Sequence, residues 1–459
     1  MKILLTINDI SITGGAERVC VNLANALSEL GHQVSILSFY RANAILPYEL
    51  NEGVKLHIWH NIAEAEYAKK RCRNFFSKIY YKNLYKFVLS GRVRKAYGQQ
   101  DVILVSDWTF FPFFKHKQCQ YIKLQHSVQQ RYAKRNNLFD MIVFLTYAQA
   151  KTWQNYHKNI KVIPNFLPFI SAKNIDSNQH RIISVGRLSA EKGFLRLIDI
   201  WEKVQEKIKA IYCHTEQSEV SNTESKKDIS CLRTRTSEAL AHTCKYDKIT
   251  IQNDSHKTTL DSKRLSAEAV CDDFKSCEAL SARSLLNIND EARKANSLKR
   301  AETATHKKAL ESWELIIVGD GAMKEQIQAK ILEKNLQDTI VLKPFTKDIE
   351  KEYLNASIYA MTSHFEGFGM VLVEASSYAL PCIAFDIAAG PSDIIESGVS
   401  GYLIKDNDLQ DYADKLFMLM SDKQKRESMG LQAKQRVKEK FSKEAIMPLW
   451  EEVFRDESV

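Results

Sequence analysis

The sequence predicts an α/β protein of two doubly wound, Rossmann-like halves, and three observations lead there. Strand-sized apolar runs alternate with helical patterns. The alternation breaks once, at Pro164-Asn165-Phe166-Leu167-Pro168, and then restarts. The 459 residues, 44% hydrophobic and 26% charged, also exceed what a single core usually holds. Apolar runs such as Val102-Ile103-Leu104-Val105 and Met141-Ile142-Val143-Phe144-Leu145 are strand-sized and fall far short of the ~20 residues a membrane helix needs.

The first half opens with a strand over 2–7, a loop over 8–15 and an amphipathic helix from Ala16 to about Leu30, closed by Gly31-His32. A strand over 34–38 follows at once, and strand, glycine loop, helix, strand is the βαβ unit of a parallel sheet. Strands over 101–105, 121–124, 141–146 and 161–163 extend it. Two prolines within five residues make 164–168 a stiff linker. Residues 1–163 are thus the first domain and 169–440 the second, whose strands fall at 181–185, 315–318, 340–342, 357–361, 382–385 and 401–404. The stretch 441–459 is expected to be a helix packing back toward the first domain.

The second half is interrupted. From Cys213 to Glu311 there is no glycine, proline or tryptophan, and the only aromatics are Tyr246 and Phe274. Ninety-nine residues of that kind cannot easily build a core, so 213–311 are expected to be a disordered or loosely helical insertion. Five of the nine cysteines lie there at irregular spacings, which favours free thiols over a metal site. The remaining cysteines are too scattered for a disulfide framework, and Met1-Lys2 leads into a strand without a signal-peptide pattern. Both features predict a cytoplasmic protein. The net charge of +9 implies affinity for anionic partners without naming them.

Three constellations carry chemistry. Gly14-Gly15, in Thr13-Gly-Gly-Ala-Glu17, joins a strand to a helix and can aim backbone N–H groups at an anion; an ordinary tight turn has the same form. The run matches neither a dinucleotide nor a Walker fingerprint. Arg187 and Lys192, in Val185-Gly-Arg-Leu-Ser-Ala-Glu-Lys-Gly193, follow a strand end, where doubly wound sheets bind ligands. They could hold a diphosphate, Arg as a fork and Lys as a point charge, or simply be solvated. In His364-Phe-Glu-Gly-Phe-Gly-Met-Val-Leu-Val-Glu-Ala375 a glycine loop leads into a helix, so the N–H groups of Gly369, Met370 and Val371 face the same strand-end crevice. Glu366 and Glu374 flank that turn as acceptors for sugar hydroxyls, or as a cap and a surface residue.

Together these residues resemble the retaining GT-B glycosyltransferases of family four (glycosyl transferases group 1), whose hallmark is Glu, seven residues, Glu, the spacing of Glu366 and Glu374. The resemblance extends through the Gly-Gly loop, GRLSAEKG, Ile317-Val-Gly-Asp-Gly321 and Gly390-Pro-Ser-Asp-Ile-Ile395, in the family's order, and covers the chain outside the insertion. It implies two Rossmann-like domains facing a central cleft, with the ~100-residue insertion in the second. Arg187 and Lys192 would hold the donor diphosphate, Glu374 the nucleotide ribose and Glu366 the transferred sugar. Gly14, Gly15, Gly367, Phe368, Gly369, Met370 and Val371 would complete the donor site. His126, in Lys123-Leu-Gln-His-Ser127, matches the family's histidine beside the reaction centre. Lys343-Pro344-Phe345 departs from the family's glycine before an aromatic.

The implied chemistry is transfer of a hexose or N-acetylhexosamine from a UDP-linked donor, which is a co-substrate, with no cofactor and no metal. Cations and helix N-termini can stabilise the charge on a leaving diphosphate. The one Asp-x-Asp string, Asp406-Asn407-Asp408, precedes a helical pattern and reads as an N-cap. Between Lys69 and Tyr97 ten Lys or Arg and no acidic residue interleave with Phe75, Phe76, Tyr80, Tyr81, Tyr85 and Phe87. Such a stretch suits an anionic membrane surface and a lipid-linked or other surface-glycan acceptor, rather than nucleic acid. The expectation is a peripheral enzyme on the inner face of the cytoplasmic membrane. The rivals are a GT-B sugar-nucleotide epimerase and a non-catalytic sugar-nucleotide-binding subunit.

Overall fold

The computed structural model describes residues 1–72, 74–126, 132–210 and 310–455. Met1–Val204 with Trp313–Val459 make one compact unit that holds both sheets, and Gln205–Ser312 make another. The expectation for 213–311 lies outside the described residues except at its last two positions.

Seven parallel strands form the first sheet: β1 (Lys2–Asp9), β2 (Gln33–Tyr40), β3 (Lys55–His60), β4 (Val102–Val105), β5 (Gln120–Gln125), β6 (Met141–Phe144) and β7 (Ile160–Val162), in the order β3-β2-β1-β4-β5-β6-β7. Six form the second: β8 (Arg181–Val185), β9 (Glu314–Val318), β10 (Ile340–Lys343), β11 (Ile358–Met361), β12 (Cys382–Asp386) and β13 (Gly401–Lys405), in the order β10-β9-β8-β11-β12-β13. Central strands such as β4 and β11 are buried at every position, as parallel strands covered on both faces must be. Strand order reverses at β1/β4 and at β8/β11, and the crevices outside those strand ends are where doubly wound sheets take ligands.

One strand, β3, is absent from the sequence reading. Its sequence, Lys-Leu-His-Ile-Trp-His, is never fully buried because it sits at the sheet edge. It therefore shows no continuous apolar run.

The chain continues past the second sheet in helices Lys423–Lys440 and Lys443–Arg455. The last helix buries Met447, Trp450, Val453 and Phe454 and lies along the first domain. Lys443 pairs with Glu29 at 2.8 Å, Glu451 with His32 at 2.6 Å, and Phe454 meets the His32 ring edge-on at 6.2 Å. Leu167, in the proline connector, donates its amide to the Phe441 carbonyl at 2.9 Å, tying the linker to the base of that helix. Among the described residues no helix is long and apolar enough to cross a membrane.

Candidate active site

The loop after β8 is seated against glycines of the loop after β9. Leu188 donates its amide to the Asp320 carbonyl at 2.9 Å. A Cβ at Gly319 would stand 1.9 Å from the Gly186 carbonyl oxygen, and one at Gly321 2.4 Å from that of Leu188. Only glycine permits so close a backbone approach. Asp320 also accepts the Phe345 amide at 2.8 Å, a bond that lowers its carboxyl below the usual range and fixes the Lys343-Pro344-Phe345 loop, with the Phe345 ring exposed.

A short turn, Ala190–Lys192, carries Lys192 to the end of β11. Its ammonium lies 2.7 Å from Glu366 Oε1, which also accepts from Ser363 Oγ at 2.6 Å. Gly193 closes the turn in the left-handed region, φ 65°, where a Cβ would come 1.9 Å from the Thr362 carbonyl oxygen. The amide of His364 donates to the Glu191 carbonyl at 2.7 Å, so the two strand-end loops are laced together. Arg196 adds to the lacing from below, and the sequence reading does not single it out. Buried on the Phe385 ring at 4.1 Å, it donates to the carbonyls of Thr362 (2.6 Å) and Ser363, and to Asp406 at 2.7 Å. An arginine inside the apolar run Phe194-Leu-Arg-Leu-Ile198 is the one local signal of that role.

The chain from Gly367 to Val371 turns into the helix Met370–Ser377. Gly369, at φ 96°, is its N-cap and offers no capping side chain, leaving the first-turn amides of Met370 and Val371 for another acceptor. Phe368 faces away from this turn. Its ring is buried edge-on against Phe441 at 5.6 Å, so any part it plays in a site is through its backbone. Gly367 offers its carbonyl to Gln149 of the first domain at 3.1 Å.

Residues from the opposite domain complete the arrangement. Glu374, 8% exposed, accepts from Arg18 at 2.5 Å and from the Tyr353 hydroxyl at 3.3 Å. Burial pushes its carboxyl up, and Arg18 and Tyr353 oppose that rise. Arg18 is a second residue the sequence reading missed, because its partner lies 356 positions away. Beside it, the Glu17 carboxyl is also raised by burial and in part restrained by Arg187 from the other domain. Glu17 folds back over Gly14, where a Cβ would stand 2.1 Å from its oxygen, whereas Gly15 has nothing within 4 Å of that position. Gly14 thus makes room for Glu17, and Gly15 keeps an open backbone face toward the crevice.

His126 follows β5. Burial, with a smaller contribution from Lys123, pushes its imidazole down to about 3, so the ring is neutral at physiological pH. Its Nε2 is buried without a hydrogen-bond partner among the described residues, and no hydrogen bond or ion pair there links it to Lys192 and Glu366. Asp408 accepts the Asp411 amide at 3.0 Å as N-cap of the helix Leu409–Ser421, and Asp406 pairs with Arg196. Both carboxylates of the Asp-x-Asp string therefore have structural partners.

Two family models match separate parts of the chain: "Glycosyltransferase Family 4" over residues 13–168 and "Glycosyl transferases group 1" over 292–436. An amylovoran biosynthesis glycosyltransferase of Erwinia amylovora, AmsD, is 22% identical over 98% of this chain and 99% of its own. A poly(ribitol-phosphate) α-N-acetylglucosaminyltransferase of Staphylococcus aureus is 36% identical, but the match covers 30% of this chain and only 28% of that one. Among solved structures, S. aureus TarM bound to fondaparinux, α-GlcNAc-glycerol and UDP superposes with a TM-score of 0.63 at 15% identity, over 99% of this chain and all of that one. With two parallel doubly wound sheets, laced strand-end loops and both family models in agreement, the chain belongs to the family-four glycosyltransferases of GT-B fold.

Proposed function

We propose that the chain moves a hexose or N-acetylhexosamine from a UDP-linked donor to a surface-glycan acceptor, with retention of configuration and without a metal. The observation that carries this reading is the Lys192–Glu366 pair beside the uncapped helix start at Gly369. A diphosphate lying there would meet Arg187, Lys192 and the amides of Met370 and Val371. These groups would stabilise the charge that develops as the sugar–phosphate bond breaks. Glu366, oriented by Lys192 and Ser363, would accept hydroxyls of the transferred sugar, and Glu374 those of the ribose. A neutral His126 would donate or accept one hydrogen bond at the reacting face, and the leaving phosphate would take the acceptor's proton.

The nature of the acceptor is supported by the relatives and by the surface of the first domain. The relatives named above make amylovoran and glycosylate a poly(ribitol phosphate). On this chain Phe75, Phe76, Ile79, Tyr80, Leu84, Phe87 and Val88 are exposed along helical stretches Phe75–Ile79, Tyr80–Leu84 and Tyr85–Tyr97. Tyr81 and Tyr85 instead stack inward at 4.9 Å. An exposed aromatic and aliphatic ridge among cations suits the inner face of an anionic membrane. Mass spectrometry of products from a panel of UDP- and GDP-sugars, with purified chain and membrane extract, tests the proposal. Transfer from a UDP-sugar onto extracted glycan is expected; interconversion of the free nucleotide sugar, or no reaction, refutes it.

A further inference from the structure

The first domain carries a second group of cations, apart from the Arg187–Lys192 loop. Lys123 lies on β5, three positions before His126, and is 8% exposed; its ammonium donates to the Asp107 carbonyl just past β4. Lys86, on the helix Tyr85–Tyr97, and Arg135, on the 3-10 turn Lys134–Leu138, share one ring. Lys86 Nζ is 4.9 Å and Arg135 Cζ 4.5 Å from the Phe111 centroid. Phe111 packs on Phe139 at 5.9 Å, and the Phe139 ring lies 5.8 Å from the Lys123 ammonium. Three elements thus bring three cations to one aromatic cluster, beside the strand end that holds His126.

The neighbouring carboxylates, Asp107 and Glu64, offset these charges only in part, because their oxygens are engaged elsewhere. Asp107 accepts from Thr6 Oγ1 at 2.6 Å and from the amides of Thr109 and Phe110 at 2.7 Å, while Glu64 accepts from Asn8 at 2.5 Å. Among the described residues none of the three cations forms an ion pair. The crowding registers in the side chains themselves. Burial lowers Lys123 to about 8, with Asp107 opposing and Arg135 and Lys86 adding to the fall, and Lys86 is lowered by burial and by Arg135 against the opposing pull of Asp107 and Glu64. Like charges gathered on one apolar cluster are unfavourable alone and are relieved by an anion. A guanidinium fork with two ammonium groups matches the oxygens of a phosphate.

We propose that Lys86, Lys123 and Arg135 form an anion subsite for a phosphate of the acceptor, holding it close to the hydroxyl that receives the sugar. The inference rests on the transferase reading above and adds to it a class of acceptor, a phosphorylated glycan or polyol.

The test titrates inorganic phosphate calorimetrically into the full chain already saturated with UDP, so that the donor site is filled. The parent should bind phosphate. Lys86→Ala and Arg135→Ala, both at solvent-accessible positions, should each weaken that binding at least tenfold with UDP affinity unchanged; equal phosphate affinity in parent and both variants overturns the proposal. Lys123→Met should do the same, and if that buried variant fails to fold the first two still decide. Sedimentation with phosphatidylglycerol vesicles separates the two sources of a phosphate. Retained vesicle binding with a raised KM for a phosphorylated, but not a dephosphorylated, acceptor supports the acceptor site. Vesicle binding lost together with phosphate binding assigns the cations to a lipid headgroup and overturns it. Phosphate titration needs no turnover. A chain that transfers no sugar yet shows the variant losses refutes the transferase reading and leaves the anion site standing.

Discussion

Gly193→Ala is the most informative single change, because the structure gives its cost from two directions. At φ 65° an alanine occupies the left-handed region, which costs about 1–2 kcal/mol. Its Cβ would also stand 1.9 Å from the Thr362 carbonyl oxygen, a separation no side chain tolerates. That oxygen cannot retreat freely, since it accepts from Arg196 at 2.6 Å. Overpacking of this kind adds about 1–3 kcal/mol. The sum, roughly 2–5 kcal/mol, corresponds to a fall in Tm on the order of 5–15 °C for a domain of this size. The displaced residue is next to Lys192, so turnover should fall by about two powers of ten even where the protein is folded. Thermal melting with and without UDP, with turnover measured well below the transition, reads both effects. Gly15→Ala is the control: nothing lies within 4 Å of its Cβ position, so its melting should match the parent while donor binding weakens. A Gly193→Ala protein that melts and turns over like the parent would refute the seating of this loop as a requirement for donor chemistry.

Arg187→Ala should lower turnover by roughly two to three powers of ten in a folded protein, the size of losing a preorganised oxyanion donor; near-normal turnover removes the residue from that role. Glu374→Gln should chiefly weaken UDP binding, while Glu366→Gln should spare UDP and lose transfer, and equal losses of UDP affinity would show the two assignments to be wrong. Activity should survive EDTA, because Asp406 and Asp408 already serve Arg196 and a helix start; loss restored by Mn²⁺ or Mg²⁺ would return them as ligands. Phe75→Ser with Phe76→Ser should abolish the salt-resistant part of anionic-vesicle binding, and reversal of Arg71 and Lys78 to Glu the salt-sensitive part; unchanged sedimentation in both would make the ridge an ordinary solvated surface.

Much of the frame was legible in the sequence, for a physical reason. Central parallel strands are buried on both faces and so appear as unbroken apolar runs, and the glycines that seat one loop on another stand just past strand ends, in Gly186-Arg-Leu-Ser-Ala-Glu-Lys-Gly193 and Gly319-Asp-Gly321. The lacing of Gly186, Gly193, Gly319 and Gly321 is that regularity seen in space. The edge strand β3 escaped because half-burial leaves no such run. The stretch from Lys69 to Tyr97 reads as one charged surface, yet Lys86 turns in over Phe111 and Arg92 over Trp59 at 4.7 Å. Composition gives a segment's charge but not the direction of each side chain, which here is set by where aromatic rings of other strands and loops lie.

One pairing between the two domains, that of Arg18 with Glu374, could not be read from either segment, and it bears most directly on how a donor would be received. Glu17 and Arg18 are neighbours on one helix, and they meet opposite charges on the other domain: Arg18 bonds Glu374, and Arg187 restrains Glu17. Each residue looks like a solvated charge in its own segment. The contact of Arg18 with Glu374 is a direct ion pair, and that of Arg187 with Glu17 a weaker influence through space. Arg18 and the Tyr353 hydroxyl oppose the rise that burial imposes on the Glu374 carboxyl. Without Arg18 nothing but the Tyr353 hydroxyl opposes the rise that burial imposes on the Glu374 carboxyl, so loss of Arg18 should weaken UDP through Glu374 as loss of Glu374 itself does, an outcome that separate measurements of UDP affinity for Arg18→Met and Glu374→Gln decide.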